Sequence, residues 1–447
     1  MKRGFMMLLL LGGSFVACGP ESSTVDTAAV PGADGGLKTS DLQGFGDELT
    51  EAVRIHDIVF QSRGTSNAQM VVTSEGNVVI DTGLPNQPRV QEMLRAAADG
   101  PIAAVIVTHA HADHYGAADA FVDKGTELIA QREFMHNQRY LKALAPTLMK
   151  RNAIFFPDDV PSVPDFALGL LGRLYPTIEP TRLVDREYAF ELGGVHFEVL
   201  AMPGAEGSDG LVVWLPDQEI LFTGDFFGHI FPMWPNLTTI RGERPRFPWP
   251  YVESLDRILA LDPKMLVPSH FEPITDRETI RAGVHRTRDA VAYVDAAVIE
   301  GINDEKDVYT LMREIQLPEE LALPEVHGKV SWGVRSIFED YLGWFHLEST
   351  TELYDVPRSA LDPELVKMAG GADAVAARGL KHLDNGETVK ALHFADMVLH
   401  ADPENSAGLR LRLGALRALL EAGGEVNHYE TYWLRDRIEK TTVALGE

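Results

Sequence analysis

Residues 102–114 read "IAAVIVTHAHADH", an apolar run followed directly by a segment of side chains that bind metals. The run predicts a buried β-strand, because short continuous apolar runs are typical of strands that are covered on both faces. Three imidazoles and one carboxylate follow at the strand end: His109, His111, Asp113 and His114. Such a loop can offer nitrogen and oxygen donors to two adjacent cations, the first two histidines to one and the last two side chains to the other. The alternative is a polar loop whose histidines only cap backbone groups.

Strand and helix patterns alternate on both sides of this loop. Residues 70–83 predict a hairpin, 89–99 a helix, and four further runs predict strands at 195–203, 210–216, 219–225 and 264–270. A helix is predicted near 251–261, and the Pro- and Gly-punctuated residues 134–185 are interpreted as an insertion over one face. Two β-rich halves with helices outside them indicate an α/β fold, an αββα sandwich.

The last third of the chain has a different, helical pattern. Strand signals largely stop after Thr275, and residues 373–440 contain at least three amphipathic helices. Residues 388–423 resemble one tetratricopeptide (TPR-like) helix pair. We therefore predict a catalytic domain over residues 48–300 and an all-α domain over residues 301–447.

The N-terminus has the composition of an export signal. Lys2 and Arg3 precede an apolar run, and Cys18, the only cysteine, follows small residues. This predicts a lipoprotein-type signal peptide at 1–18, acylation of Cys18 and a flexible linker at 19–47. We expect an exported protein, lipid-anchored in a bacterial cell envelope; simple secretion and an uncleaved anchor are the alternatives. The formal charge of −26 disfavours nucleic acid as a partner.

The order of these motifs resembles the metallo-β-lactamase fold superfamily, whose signature is the pattern HxHxDH. This resemblance implies that Asp225, in "FTGD", is the carboxylate that bridges two metals. It implies also that His270, in "VPSH", is the last histidine ligand. Four other histidines stand alone in the sequence and are interpreted as structural or solvated, namely His56, His136, His196 and His229.

Within that superfamily the chain resembles the alkylsulfatases. Their segment Pro-Gly-Thr-Glu supplies a metal ligand, and "PGAE" places Glu206 at this position, where most branches have histidine. The stretch "NLTTIRG", residues 236–242, is similar to the segment whose Asn and Arg hold the sulfate group, which implies roles for Asn236 and Arg241. Residues 329–345 and 365–410 resemble the helical dimerisation domain, which implies a homodimer.

The resemblance implies a dinuclear hydrolase of sulfate esters with two zinc ions per chain, in which Asp113 and Asp225 are the catalytic carboxylates. Departures keep other functions open: Asp225 stands where alkylsulfatases have glutamate, and Phe271 where a second histidine is usual. The family's sterol-carrier-like C-terminal domain is expected to be missing. The alternatives are a hydrolase of another ester, a lactone or a phosphodiester, and a lipid-anchored binding protein without catalysis.

Overall fold

The computed structural model describes residues 38–39, 49–157, 160, 175–204 and 206–447. Cys18, the predicted signal peptide and most of the predicted linker lie outside the described residues. None of the helices in the described part of the chain is both long and apolar enough to span a bilayer.

The first β-sheet has seven strands in sequential order. Its first four strands pair antiparallel and its last four pair parallel. The predicted hairpin at 70–83 and the predicted strand at 102–108 are both part of it. The strands are β1 (Val53–His56), β2 (Val59–Ser62), β3 (Ala68–Thr73), β4 (Gly76–Ile80), β5 (Ile102–Ile106), β6 (Glu127–Gln131) and β7 (Arg182–Val184).

The second β-sheet has five strands, of which the last two pair parallel and the others antiparallel. All four runs predicted as strands after residue 190 belong to it. The strands are β8 (Glu187–Leu192), β9 (Val195–Ala201), β10 (Leu211–Leu215), β11 (Ile220–Gly224) and β12 (Met265–Pro268).

The two sheets face each other across one apolar core, and helices cover their outer faces. In β4, Val78 and Ile80 pack into the core between the sheets, whereas Val79 packs into the cluster under the outer helices. Alternate side chains of a strand point to opposite faces, so a fully apolar strand indicates a sheet that is covered on both sides. The predicted αββα sandwich is confirmed. The helices of this part are α1 (Pro88–Ala96), α2 (Ala112–Tyr115), α3 (Phe134–Phe155), α4 (Pro248–Leu261) and α5 (Arg277–Asn303).

The rest of the chain is helical, as predicted. Helix α5 continues across residue 300, and the domain division placed there stays a prediction. The remaining helices are α6 (Val308–Glu314), α7 (Val330–Leu342), α8 (Asp362–Met368), α9 (Ala372–Asp384), α10 (Thr388–Ala401), α11 (Ser406–Ala422) and α12 (His428–Leu445).

Helix α12 connects the helical part to the sandwich. Asn427 caps it, accepting a hydrogen bond from Glu430 N, and donates to the carbonyl oxygens of Glu325 and His327. The His428 ring lies 2.7 Å, from Nε2 to oxygen, from the carbonyl of Phe155 at the end of α3. The two parts of the chain are therefore joined by a packed contact between α3 and α12.

Candidate metal centre and anion site

The predicted ligands all follow the carboxyl ends of strands, at one edge of the sandwich. Residues 109–114 follow β5, Asp225 follows β11 and His270 follows β12. Gly224 allows β11 to approach β5 closely: a Cβ atom there would lie 2.6 Å from Thr108 Oγ1, and the φ angle is +54°. The two sheets therefore bring their ligand loops together at this edge.

Four of the ligands form a first group whose donor atoms all lie within 4.8 Å of one another: His109, His111, Glu206 and Asp225. His109 Nε2 lies 2.8 Å from His111 Nδ1, which lies 3.4 Å from Glu206 Oε1. Glu206 reaches this place because the turn before it is tight. Gly204 has a φ angle of +103°, and a Cβ atom there would lie 2.5 Å from the backbone nitrogen of Tyr251.

The other three predicted ligands, Asp113, His114 and His270, form a second group. Asp225 belongs to the first group and also contacts the second, because its two oxygens lie 3.4 Å from His114 Nε2 and 3.2 Å from His270 Nε2. Neither His114 Nε2 nor Asp225 Oδ1 makes a hydrogen bond within the described residues, although both atoms are buried. Buried polar atoms that crowd together without hydrogen bonds fit a pair of cation positions with Asp225 between them.

The ionisable groups of this cluster are coupled through their charges. Burial disfavours protonation of His114, but Asp113 and Asp225 outweigh burial and raise its pKa well above the usual value. Burial also disfavours ionised Asp113, yet His114 holds the pKa of that carboxyl well below its usual range. The pKa of His109 is lowered well below its usual value by burial and by the adjacent imidazoles. Asp113 is thus ionised at neutral pH and attracts positive charge.

Asp81 follows β4 directly and holds the ligand loop of residues 109–114 in place through hydrogen bonds. Its carboxylate accepts hydrogen bonds from the backbone nitrogen of Thr108 at 2.9 Å and from Thr108 Oγ1 at 2.8 Å. It also lies 2.8 Å from His114 Nδ1 and accepts from Ser269 Oγ at 3.1 Å. An acceptor at Nδ1 leaves Nε2 of His114 as the ligand atom, which is the usual arrangement for metal-binding histidines.

Two side chains of the loop before α4 support the first group. Glu243 Oε2 lies 2.9 Å from His111 Nε2, which leaves Nδ1 to face the ligand cluster. Arg246 donates to Glu206 Oε1 and to the carbonyl oxygen of Asn236, both at 2.6 Å. Burial raises the pKa of Glu206, and the charge of Arg246 acts against this rise. None of Asp81, Glu243 and Arg246 was predicted from the sequence to belong to the site.

Arg241 is buried next to the metal-ligand groups. Its Nη2 pairs with Glu243 Oε1 at 2.9 Å, and its guanidinium lies 5.6 Å from the ring centre of Phe156. Its Nε makes no hydrogen bond within the described residues. Despite burial, Glu243 raises the pKa of Arg241 above its usual value, so the cation is permanent. A buried guanidinium with one donor left over is suited to binding an anion.

A cavity of about 90 Å³ connects Arg241 to both ligand groups, because His111 and Asp113 also form its wall. Asn236 is buried, 7% exposed, but is not among the described residues that line this cavity. Its Oδ1 has no hydrogen-bond partner in the described part of the chain. The structure thus brings Arg241 to the ligands and places Asn236 nearby on the same segment.

One histidine that stands alone in the sequence has imidazole neighbours in the fold. His229 is not alone: its ring centre lies 4.3 Å from that of His270 and 4.9 Å from that of His327. His327 in turn lies 5.3 Å from His428, the first residue of α12. Burial lowers the pKa of His327 well below its usual value, so it stays neutral. These histidines are separated by up to about 200 residues in the chain, and no spacing pattern predicts their contact.

Comparison with known proteins agrees with this geometry. A family model described as the metallo-beta-lactamase superfamily matches residues 62–270, the span that holds all seven predicted ligands. The sandwich of this chain is therefore similar to the metallo-β-lactamase superfamily. A second family model, described as alkyl sulfatase dimerisation, matches residues 308–435, so the chain combines the sandwich with a helical part that is similar to that family.

Several relatives have been named as sulfatases. A linear primary-alkylsulfatase of Pseudomonas sp. is 27% identical over 391 residues, 83% of this chain and 73% of the relative. An alkyl/aryl-sulfatase of Saccharomyces cerevisiae is 26% identical over 394 residues, 82% of this chain and 60% of the relative. This chain therefore spans 60–73% of the length of these two relatives.

The fold also matches a solved structure, that of the stereoselective inverting sec-alkylsulfatase Pisa1 from Pseudomonas sp. The TM-score is 0.75 at 23% identity, and the match covers 88% of this chain and 66% of Pisa1. At this identity the likeness concerns the fold alone.

Proposed function

We propose that this protein hydrolyses sulfate esters, with alkyl sulfates as the representative substrates, and that it uses two zinc ions per chain. The observation that carries the proposal is Arg241, a buried cation that shares one cavity with His111 and Asp113 and whose Nε has no hydrogen-bond partner among the described residues. An anionic group held by Arg241 would lie beside both ligand groups. The relatives named as alkylsulfatases support the same class of substrate.

The donor set supports zinc, because imidazole nitrogens and carboxylate oxygens in such small groups are typical zinc ligands. One ion would be held by His109, His111 and Glu206, the other by Asp113, His114 and His270, with Asp225 between them. When bound, the two ions supply Lewis acidity and make water a nucleophile at neutral pH.

The residues of the chain would orient the ester and manage its charge. A carboxylate at 206 makes the metal centre one unit less positive than a histidine would, so a separate cation is needed for the substrate anion. Arg241 can offer two donors to two sulfate oxygens, and Asn236 an amide donor from the same segment. Asp113 faces the cavity and can accept a hydrogen bond from the attacking water. The balanced reaction consumes one water and releases an alcohol and hydrogen sulfate.

The test is sulfate release, measured by ion chromatography, from a series of alkyl sulfates, beside a panel of lactones and phosphodiesters. We expect sulfate release that a chelator abolishes and added zinc restores. Arg241→Met should lower kcat/KM for alkyl sulfates by about 100-fold or more, because a charged hydrogen bond to the substrate is lost, and should leave metal content unchanged. Arg244→Met is the matched control, since Arg244 stacks on Tyr140 at 4.5 Å instead.

Two results would contradict this proposal. Turnover of lactones or phosphodiesters without sulfate release would identify another hydrolase of the superfamily. Less than one zinc ion per purified chain, with no turnover of any panel, would favour a binding protein without catalysis.

We propose in addition that Cys18 is acylated and anchors the exported protein to a bacterial envelope membrane. Support comes from the basic start of the sequence, the apolar run after it and the position of its only cysteine. Cys18→Ser should move the protein from the membrane fraction to the soluble fraction. A membrane-bound Cys18→Ser variant would contradict lipid anchoring at this residue.

We propose a homodimer that forms through the helical part. The described segment from the end of α7 to α8 exposes large apolar side chains, with Trp344 69%, Leu347 83% and Tyr354 69% exposed. This segment lies within the match to the alkyl sulfatase dimerisation family. Exposed apolar clusters of this kind mark protein contacts. Leu347→Asp should shift the mass in light scattering from dimer to monomer, and a monomeric native protein at micromolar concentration would refute the dimer.

A further inference from the structure

Glu243 joins a predicted metal ligand to the predicted anion-binding residue. One oxygen, Oε1, lies 2.9 Å from Arg241 Nη2, and the other, Oε2, lies 2.9 Å from His111 Nε2. Arg246 approaches Oε2 as well, at 3.3 Å. The Glu243 side chain is only 8% exposed, so water does not screen these contacts. A single carboxylate therefore binds both parts of the site at once.

Glu243 also separates two cavities. With His111 it lines the cavity of about 90 Å³ that contains Arg241 and Asp113. The same two side chains line a second cavity, of about 280 Å³, on the side of Glu206 and Arg246. We call the cavity of about 90 Å³ that contains Arg241 the anion cavity. The position of Glu243 therefore determines where one wall of the anion cavity lies and how far that wall is from the first ligand group.

We propose that Glu243 is a positioning residue, which holds Arg241 and His111 in register so that the substrate anion lies at a fixed distance from the first metal position. This inference rests on the proposed function. Glu243 occupies Nη2 of Arg241, whose Nε has no hydrogen-bond partner within the described residues. It occupies Nε2 of His111 and leaves Nδ1 towards the metal. Displacement of a reacting group by about 1 Å can cost 100-fold in rate, so this register controls turnover.

Two variants separate the two contacts. In Glu243→Gln the amide oxygen can still accept the hydrogen bond of His111 Nε2, which the metal-bound tautomer must donate. The amide nitrogen then faces Arg241, which is also a hydrogen-bond donor, so only the contact with Arg241 is lost. Glu243→Ala releases both partners. Glu127→Gln is the matched control, because it breaks a similar ion pair with Arg182, 2.6 Å long, on the surface.

Three quantities are measured for each variant. They are the zinc affinity (from competition with a chelator), the inhibition constant of inorganic sulfate and the kcat for an alkyl sulfate. For Glu243→Gln we expect zinc affinity within about threefold of the native value, sulfate inhibition no weaker than native, and kcat lower by about 100-fold. Glu243→Ala should also lose about 10- to 100-fold in zinc affinity, as is usual when a partner of a ligand histidine is removed. Glu127→Gln should change none of the three.

Native kcat in Glu243→Gln would overturn the proposal, and so would native zinc affinity in Glu243→Ala. An equal loss of zinc affinity in both variants would also overturn it, because the two contacts would then not be separable. If the native protein releases no sulfate from any ester, the proposed function fails. The zinc affinities of the two variants still test the contact with His111 in that case.

Discussion

Asp81 offers the sharpest test of how the loop of ligands is held. We expect Asp81→Asn to weaken both the folded state and zinc binding, although Asp81 is not itself a predicted ligand. Asn is the appropriate replacement because residue 81 has a φ angle of +55°, a conformation that Asn tolerates well. A change in backbone strain is thereby kept small.

The expected magnitude follows from the four hydrogen bonds that Asp81 accepts. Oδ2 accepts three of them, from Thr108 Oγ1, His114 Nδ1 and Ser269 Oγ, and Oδ1 accepts the fourth, from Thr108 N. In Asp81→Asn the amide oxygen can still accept the three hydrogen bonds that Oδ2 accepts. The amide nitrogen then faces the buried backbone N–H of Thr108. One unpaired buried donor costs about 1–3 kcal/mol of unfolding free energy. A neutral acceptor also makes His114 a weaker ligand, which should lower zinc affinity by about 10- to 100-fold.

The assay combines urea unfolding of the metal-free protein with chelator competition for zinc. Asp295→Asn is a matched control, since Asp295 on α5 is also buried, 5% exposed, and accepts a hydrogen bond from Tyr341 at 2.7 Å rather than from a ligand residue. The control should keep native zinc affinity. If Asp81→Asn retained both native stability and native zinc affinity, the role given to Asp81 would be wrong. The role given to Asp81 would also be wrong if Asp295→Asn lowered zinc affinity as much as Asp81→Asn does.

Three further predictions concern the charge and protonation of buried groups. Arg246→Met should destabilise the metal-free fold by about 3–5 kcal/mol in urea unfolding, because it removes the guanidinium that lies 2.6 Å from the buried Glu206 carboxylate; a loss below 1 kcal/mol would contradict this. Burial lowers the pKa of His428 from 6.5 to about 4. The unfolded imidazole therefore binds protons that the folded one does not, and the unfolding free energy should fall as the pH drops from 6.5 to 4, on the order of 3 kcal/mol for this group. His428→Gln should flatten that part of the pH profile, and an unchanged profile would show that other groups cause it. Zinc at 100 times its dissociation constant should raise the unfolding free energy by about 2.7 kcal/mol over the chelator-treated protein, since only the folded state holds the ligands together; calorimetric melting temperatures that do not respond to zinc would exclude this.

The fold could be predicted because its signals are local. The strands are short apolar runs, and residues 109–114 carry four ligand side chains within one loop. The later positions, Glu206, Asp225 and His270, were found only through their resemblance to a family pattern. Each follows a strand end, and the structure brings all seven together because parallel neighbours such as β11 and β12 end at the same edge.

The supporting residues could not be predicted in this way. Glu243 contacts His111 across 132 positions of sequence, and no spacing rule connects the two. Arg246 lies on an irregular loop, where a surface ion pair is the ordinary expectation. Asp81 did leave a signal: a polar residue that directly follows a buried strand, beside the parallel strand that carries the ligands. A rule that compares the ends of neighbouring parallel strands would have found it.

The contact between α3 and α12 has a consequence for how such proteins can be recombined. Phe155 and Phe156 lie against Tyr429 with ring centres 5.3 and 5.9 Å apart, and Phe156 lies beneath the Arg241 guanidinium. The helical domain therefore packs behind Phe156, which lines the anion cavity. A chimera that exchanges this domain between relatives should remain active only if the end of α3 and the start of α12 come from the same parent. These two short segments should therefore be exchanged together.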